Sequence, residues 1–368
     1  MKITFPRMGL LDPMLLDLFA RLDVEVLPPP PTSPSTLELG VKYGPEFACL
    51  PLKITLGNFM EALDAGADAI VMAGGKGPCR FGYYCETQRR ILEQAGYSGF
   101  QFVVFEPPGY RFWDFVGAFK KIAPNKSILD VWQALTETFA KGRAVDMVDK
   151  RSLQIRCFET TRGATTKAKK EALEVLAAAW TRAEIDAAAE EALAIMDAVD
   201  RDETRGVLRV GLIGEFYMLL EPYVNFDIEE YLGYHGCYVE RSVYASDWIG
   251  PSSANPVAGH SDAEVAELAE PYLSHFVGGE GQATVGHAVM YARHGFDGVV
   301  HLLPFTCMPE TIAKTIFPRI QREGGLPILS FVIDEQTGKA GVVTRLEAFL
   351  DLLHSQHEAG AHLARMSA

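Results

Sequence analysis

The chain reads as an α/β protein: two Rossmann- or flavodoxin-like parallel-sheet domains joined by a helical segment, with a cleft between them. Three observations lead there. Short apolar, partly β-branched runs alternate with amphipathic stretches of helical period in both halves. Glycine or proline marks the turns between them, as at Gly74 and Gly75 and again at Pro304. A stretch rich in alanine, glutamate and lysine, 166–199, contains no glycine and has the length of a brace between domains. With 368 residues, 48% of them hydrophobic, the chain can bury more than one core. The boundaries then fall at 1–126 for an N-terminal α/β domain, 127–205 for the helical connection and 206–368 for a C-terminal α/β domain.

In order, the pattern predicts a strand at 2–5, a helix at 13–22 and a strand at 24–27, a parallel βαβ opening. The run PPPPTSPS is a stiff loop ending at Ser35, which reads as the N-cap of a helix over 37–42. Cys49 stands at the entrance of a helix carrying Ile54, Phe59, Met60 and Leu63, closed at Gly66. Strands at 69–73 and 100–105 complete four parallel strands. A helix over 128–140 and the long one over 166–199 flank a strand-like segment, RSLQIRCFET. The second domain has strands at 207–213, 238–242, 298–303 and 326–333. Its helices are a short one about 228–232, then 260–276, one ending near His294, and 344–357.

Composition narrows the function. A net charge of −14, with no dense Lys/Arg block, argues against nucleic acid as a partner. No stretch approaches the roughly 20 apolar residues that span a bilayer, and the N-terminus lacks an apolar signal core. The reading is therefore a cytoplasmic protein without a membrane partner, whose six cysteines are free thiols or metal ligands.

Cys49, Cys79 and Cys307 each fall where a strand gives way to a helix or where a helix begins. No CxxC pair and no compact ferredoxin spacing is present, which disfavours a zinc ribbon or a dithiol redox pair. Two readings remain: a metal cluster held by distant thiolates, or small buried hydrophobes. Gly75, Gly77 and Pro78 let the backbone approach something bulky. Cys85 lies nearly two helical turns beyond Cys79, while Cys157 and Cys237 lie away from glycine turns. Arg80 and Lys53 place positive charge beside an anionic cluster, or serve as surface contacts. Glu310 and Glu215 are proton donors at strand ends, or helix caps. His301 reads as core, His260 and His287 as caps. GGEGQATVG lacks the dinucleotide spacing, and without a GxxxxGK[ST] loop the chain does not hydrolyse ATP itself.

Four segments, CLPLK, AGGKGPCRFGYY, HLLPFTCMPE and the tail DEQTG with TRLEAFLDLL, resemble the 2-hydroxyglutaryl-CoA dehydratase D-component superfamily, in its activase-related branch. The likeness covers nearly the whole chain. It implies one [4Fe–4S] cluster on Cys49, Cys79 and Cys307 with an open iron, charged by an ATP-hydrolysing iron–sulfur activator protein. The activity it implies is that of a 2-hydroxyacyl-CoA dehydratase-like lyase or an ATP-dependent reductase, acting by reductive or radical chemistry on a substrate such as an acyl-CoA. It also implies a homodimer, or a heterodimer with a related subunit. Six cysteines equally match a related group that holds an [8Fe–9S] double cubane and reduces small molecules. A third reading is an electron carrier or scaffold, with Cys85 saturating the fourth iron.

Overall fold

A computed structural model describes residues 1–75, 79–105, 112–249 and 257–366, without the side chains at 112–115, 248–249 and 358–366. The fold is a largely helical α/β one with two small parallel sheets. Met1–Ala144 with Ala179–Asp186 form one compact unit, and Val145–Ala178 with Ala187–Ala368 form another.

The first unit has three paired strands, β1 (Ile3–Thr4), β2 (Ala69–Ala73) and β3 (Gln101–Phe105), in that order and all parallel. Its helices are α1 (Leu11–Arg21), α2 (Pro34–Tyr43), α3 (Leu50–Asp64), α4 (Tyr84–Gln94), α5 (Phe112–Ile122) and the first part of α6 (Ile128–Ile155). The period of two along β2 sorts its side chains. Ala69 and Val71 join Phe5, Phe19, Phe119 and Ile122 on one face; Ile70 and Met72 join Leu56, Phe59 and Leu92 on the other. Burial on both faces is why β2 reads as a continuous apolar run. The fourth strand expected at 24–27 is reduced to a single bridge, Ile3 to Val26. The prolines from Pro28 onward supply no N–H with which to extend a ladder. α2 begins three residues earlier than expected, and its cap two. Ser33, not Ser35, is the N-cap, in a reciprocal capping box with Thr36, and Pro34 takes the first helical position.

The second unit carries β4 (Leu208–Gly214), β5 (Cys237–Arg241), β6 (Gly298–Pro304) and β7 (Ile328–Ile333), all parallel, in the order β5-β4-β6-β7. Expected as one helix over 166–199, the alanine-rich stretch is two, α7 (Ala164–Ala178) and α8 (Arg182–Asp197). Thr181 and Glu184 cause the break: Thr181 Oγ1 accepts from the Glu184 N–H, and the Glu184 carboxylate accepts from the N–H groups of Thr181 and Trp180. α6 absorbs the first half of the segment read as strand-like, and Cys157 falls in a short 3-10 turn after it.

The remaining helices are α9 (Phe216–Leu220), α10 (Pro222–Asn225), α11 (Ile228–Tyr234), α12 (Ala245–Ile249), α13 (Asp262–Ala269), α14 (Gly281–Arg293), α15 (Met308–Gly324) and α16 (Lys339–Met366). One face of the sheet packs on α14 and α15 through Ile213, Val285, Val289, Val299, Phe317 and Ile320, and α13 packs on α14. Against the other, Gly298 leaves room for Phe349 and Leu353 of α16. Among the described residues no helix is long and apolar enough to cross a membrane.

Candidate functional site

The order of the second sheet reverses at β4: the chain goes to β5 on one side and comes back to β6 on the other. A crevice outside the carboxyl ends of the strands on either side of such a reversal is where open α/β sheets take ligands. Gly214 ends β4 at φ 136°, and a Cβ there would lie 1.9 Å from the Leu302 carbonyl oxygen. Only glycine lets β4 run on against β6 so that the Glu215 N–H donates to that carbonyl at 3.0 Å. Glu215 then caps α9, its carboxylate accepting from the Met218 N–H at 3.1 Å.

Beyond β6, Thr306 turns the chain at φ 68° and Cys307 becomes the N-cap of α15. Pro309 and Glu310 follow in its first turn. Gly281, the first residue of α14, lies so close to Pro309 that a Cβ would sit 2.6 Å from the Pro309 carbonyl oxygen. The starts of α14 and α15 therefore abut, which carries Glu280 to the same edge as Glu310. Phe305 and Met308 are exposed beside them.

Glu310 is fully buried and is not a cap. Thr284 Oγ1 donates to its Oε1 at 3.1 Å, and His301 Nε2 lies 2.9 Å from its Oε2. His301 Nδ1 lies 3.0 Å from Ser330 Oγ on the neighbouring strand, where the register pairs the two residues. Burial pushes the Glu310 carboxyl up to about 8. It pushes His301 down to about 3, with Lys314 adding to the effect. Both directions describe a neutral pair, the acid donating to Nε2 and Nδ1–H donating to Ser330.

Glu215 and Glu280 are half-buried. Desolvation lifts Glu215 to about 8 against the Met218 and Tyr217 amides, with Glu310 and Glu280 repelling its charge. Desolvation also lifts Glu280 to about 7, with Glu310 and Asp262 adding. Glu310 thus raises the proton affinity of Glu215 and Glu280, and Glu280 that of Glu215, while Glu310 itself is raised by burial. In their protonated form such groups are hydrogen-bond donors, and at neutral pH that form prevails for Glu215 and Glu310 and is half populated for Glu280.

A stability profile follows. A free carboxyl in the unfolded chain loses its proton near 4.5, so folding holds extra protons at Glu310 and Glu215 up to about pH 8 and at Glu280 up to about 7. Stability from these groups falls as pH rises through that window. His301 and His287 stay neutral in the fold down to about 3, whereas unfolded histidine charges near 6.5, so the contribution of these two groups falls as pH drops below 6.5 and offsets part of the carboxyls' gain. Denaturant titrations should show a decline from pH 6.5 to 8 that flattens in Glu310→Gln. An unchanged slope would show that Glu310 does not hold a proton there.

The sequence reading placed Glu310, Glu215, His301 and Cys307 correctly along the chain. It missed Glu280, Thr284 and Ser330 as members of the group. For Glu280 and Thr284 the signal lies in GGEGQATVG, which reads as a turn into a helix without the dinucleotide spacing. His260 and His287 are not caps: Ser261 caps α13, and the two imidazoles face each other with Nε2 atoms 3.3 Å apart.

The cluster does not survive. Among the described residues no three His, Cys, Asp or Glu side chains come together in a way that would hold a metal ion. A cubane needs thiolates converging on it. Cys49 does cap α3 and Cys79 does precede a 3-10 turn leading to α4, as the local signals said. The Cys49 sulfur, however, touches the Tyr84 hydroxyl. Cys85 is half-buried on α4. Cys157 and Cys237 are buried with thiols pushed up to about 12, which disfavours the thiolates a double cubane would need.

The [4Fe–4S] and [8Fe–9S] assignments fall together. With them go the dehydratase-like lyase, the ATP-dependent reductase and the electron carrier or scaffold, all of which depended on a cluster. Arg80 is exposed and donates to the Phe47 carbonyl at 2.7 Å. The Gly75 backbone packs on Gly82, where a Cβ would lie 2.3 Å from the Gly75 carbonyl oxygen. Gly77 and Pro78 lie outside the described residues. No protein-family model matches the chain, and no curated protein matches it.

Proposed function

We propose that the carboxyl edge of β4 and β6 binds a small carbonyl or carboxylate compound and acts on it as a general acid. The observation that carries this is the placement of Glu215, Glu280 and Glu310 at one sheet edge by the β4–β6 contact and the abutting starts of α14 and α15, with Glu215 and Glu310 raised to about 8 and Glu280 to about 7. A protonated carboxyl in a poorly solvated place donates to a carbonyl oxygen and stabilises negative charge developing on it. Glu215 and Glu280, half-exposed, meet the ligand; Glu310 sits behind them. The strand order 2-1-3-4 within this unit supports a flavodoxin-like reading of the second sheet, with the ligand at its usual switch point. Descent from the dehydratase superfamily remains a proposal carried by the four sequence segments alone. So does partnership with an ATP-hydrolysing activator, a related subunit or a second copy.

Pyruvate and acetate are suitable probes, followed by ligand-detected NMR. The donors exist below about pH 7 for Glu280 and about 8 for Glu215, and disappear as pH rises through those values. Binding should therefore be present at pH 6, lost by pH 9, and weakened in Glu215→Ala and Glu280→Ala. No binding at pH 6, or binding indifferent to pH and to both substitutions, would sink the reading.

A further inference from the structure

We propose that Glu310, His301 and Ser330 form a proton relay that recharges the buried acid of this site from the β7 side. Glu310 and His301 have no exposure to solvent, so a proton lost from Glu310 towards Glu215 or a ligand is not replaced by water directly. The hydrogen-bonded chain that leaves Glu310 away from α14 runs through both imidazole nitrogens to the Ser330 hydroxyl, at 2.9 and 3.0 Å. Ser330 is half-buried, and its own carbonyl is held by Arg345 at 2.7 Å, which fixes the strand beneath the hydroxyl. The His301 ring stands edge-on to Phe317 with centroids 4.8 Å apart, an apolar wall that holds it in plane with its two partners.

The step balances without a charged imidazole. When Glu310 is ionised, His301 carries its proton on Nε2 and accepts from the Ser330 O–H at Nδ1. The Ser330 proton then passes to Nδ1, the Nε2 proton passes to Glu310 Oε2, and Ser330 takes a proton from water. One proton enters at Ser330 and one arrives at Glu310, and the ring changes tautomer. Burial that makes imidazolium unfavourable is compatible with this exchange, because the ring stays neutral throughout. The groups facing the relay are Thr284 and Glu280 of the α14 start, Glu215 after β4, Lys314 on α15, and Ser330 with Arg345 behind it. Lys314 opposes a positive ring, and the carboxyls set when Glu310 releases its proton.

The relay rests on the acid-site reading only for its purpose; the test is independent of any ligand. Ring-nitrogen chemical shifts of His301 in ¹⁵N-labelled protein should show Nδ1–H while Glu310 is protonated and Nε2–H once it ionises, with no imidazolium between. A single tautomer across the Glu310 titration, or an imidazolium, overturns the proposal. Ser330→Ala removes the outer donor without touching Glu310. It should slow hydrogen–deuterium exchange of the Glu310 carboxyl, followed by its infrared C=O band, by about 100-fold, the lower end of what a positioned proton-transfer group contributes. Unchanged exchange overturns the route through β7. Glu310→Gln should lock His301 as the Nδ1–H tautomer at every pH, and a tautomer switch persisting in that variant would likewise overturn it. If the probes fail to bind while the tautomer still switches, the acid-site reading falls and the relay stands.

Discussion

Arg241→Met should cost about 3–5 kcal/mol of unfolding free energy, the usual penalty for breaking a buried ion pair by removing one partner. Arg241 is buried at the end of β5. Its guanidinium meets Asp149 at 2.5 Å and Glu229 at 2.8 Å, and its Nε donates to the Val243 carbonyl at 2.8 Å. It also lies 4.6 Å from the Tyr244 ring centroid. Burial alone would lower the affinity of Arg241 for its proton, yet Glu229 and Asp149 raise it well above the ordinary value. Burial would raise Asp149, yet Lys169 and Arg241 hold it below its ordinary range.

Methionine fills the volume and leaves those two carboxylates underground with Lys169 as the remaining cation, at 2.5 Å from Asp149. The pH response should then change sign. In the native protein the Asp149 contribution is present above its ordinary pKa and is lost as pH falls; in the variant the carboxyls are destabilising when charged, so acidification towards pH 5 should recover part of the loss. The exposed pair Arg319 to Glu323, at 2.8 Å, is the comparison, since alanine at Arg319 breaks a pair that water already screens and should change stability far less. A loss under 1 kcal/mol in Arg241→Met would mean the network is not holding the end of β5.

What the sequence reveals is local. Cys49, Cys79 and Cys307 were legible as the starts of helical segments because proline or glycine stands within a few residues of each. β2 and β6 were legible because strands covered on both faces are apolar throughout. Convergence of side chains from distant segments is not encoded in such signals, and here it misled. Three thiols at three turns suggest a shared ligand, whereas the side chains the fold does bring into contact at the edge of the second sheet are Glu310, Thr284, His301 and Ser330.

The Glu310 and His301 pair shows why they were harder to see. Each has an ordinary explanation alone, a first-turn glutamate and a core histidine, and only the fold of α15 back over β6 puts Oε2 beside Nε2. The break between α7 and α8 was readable, because Thr181 and Glu184 have the spacing of a capping box, but a long alanine-rich run outweighed it. At 24–27 the β-branched residues read as a strand, but the four prolines that follow limit its pairing to a single bridge.

Gly214→Ala should be the most damaging single-methyl change at the site, with a loss of about 3 kcal/mol or more. Two costs coincide. An L side chain at φ 136° is strained by about 1–3 kcal/mol, and the new Cβ would lie 1.9 Å from the Leu302 carbonyl oxygen, an overlap that costs about as much again to relieve. The obstacle is backbone of the neighbouring strand, so no side-chain rotation clears it. β4 and β6 must part, and the Glu215 N–H bond to Leu302 goes with them. Glu215 would then gain water, and its proton affinity should drop from about 8 towards the ordinary carboxylate range, which a ¹³C titration of the side chain reads directly. Gly236→Ala separates the two costs. Gly236 also has positive φ, at 78°, but a Cβ there meets nothing within 4 Å, so strain alone applies, about 1–2 kcal/mol. If Gly214→Ala proves no worse than Gly236→Ala and leaves the Glu215 titration unmoved, the close approach of β4 to β6 is not what sets the acid edge.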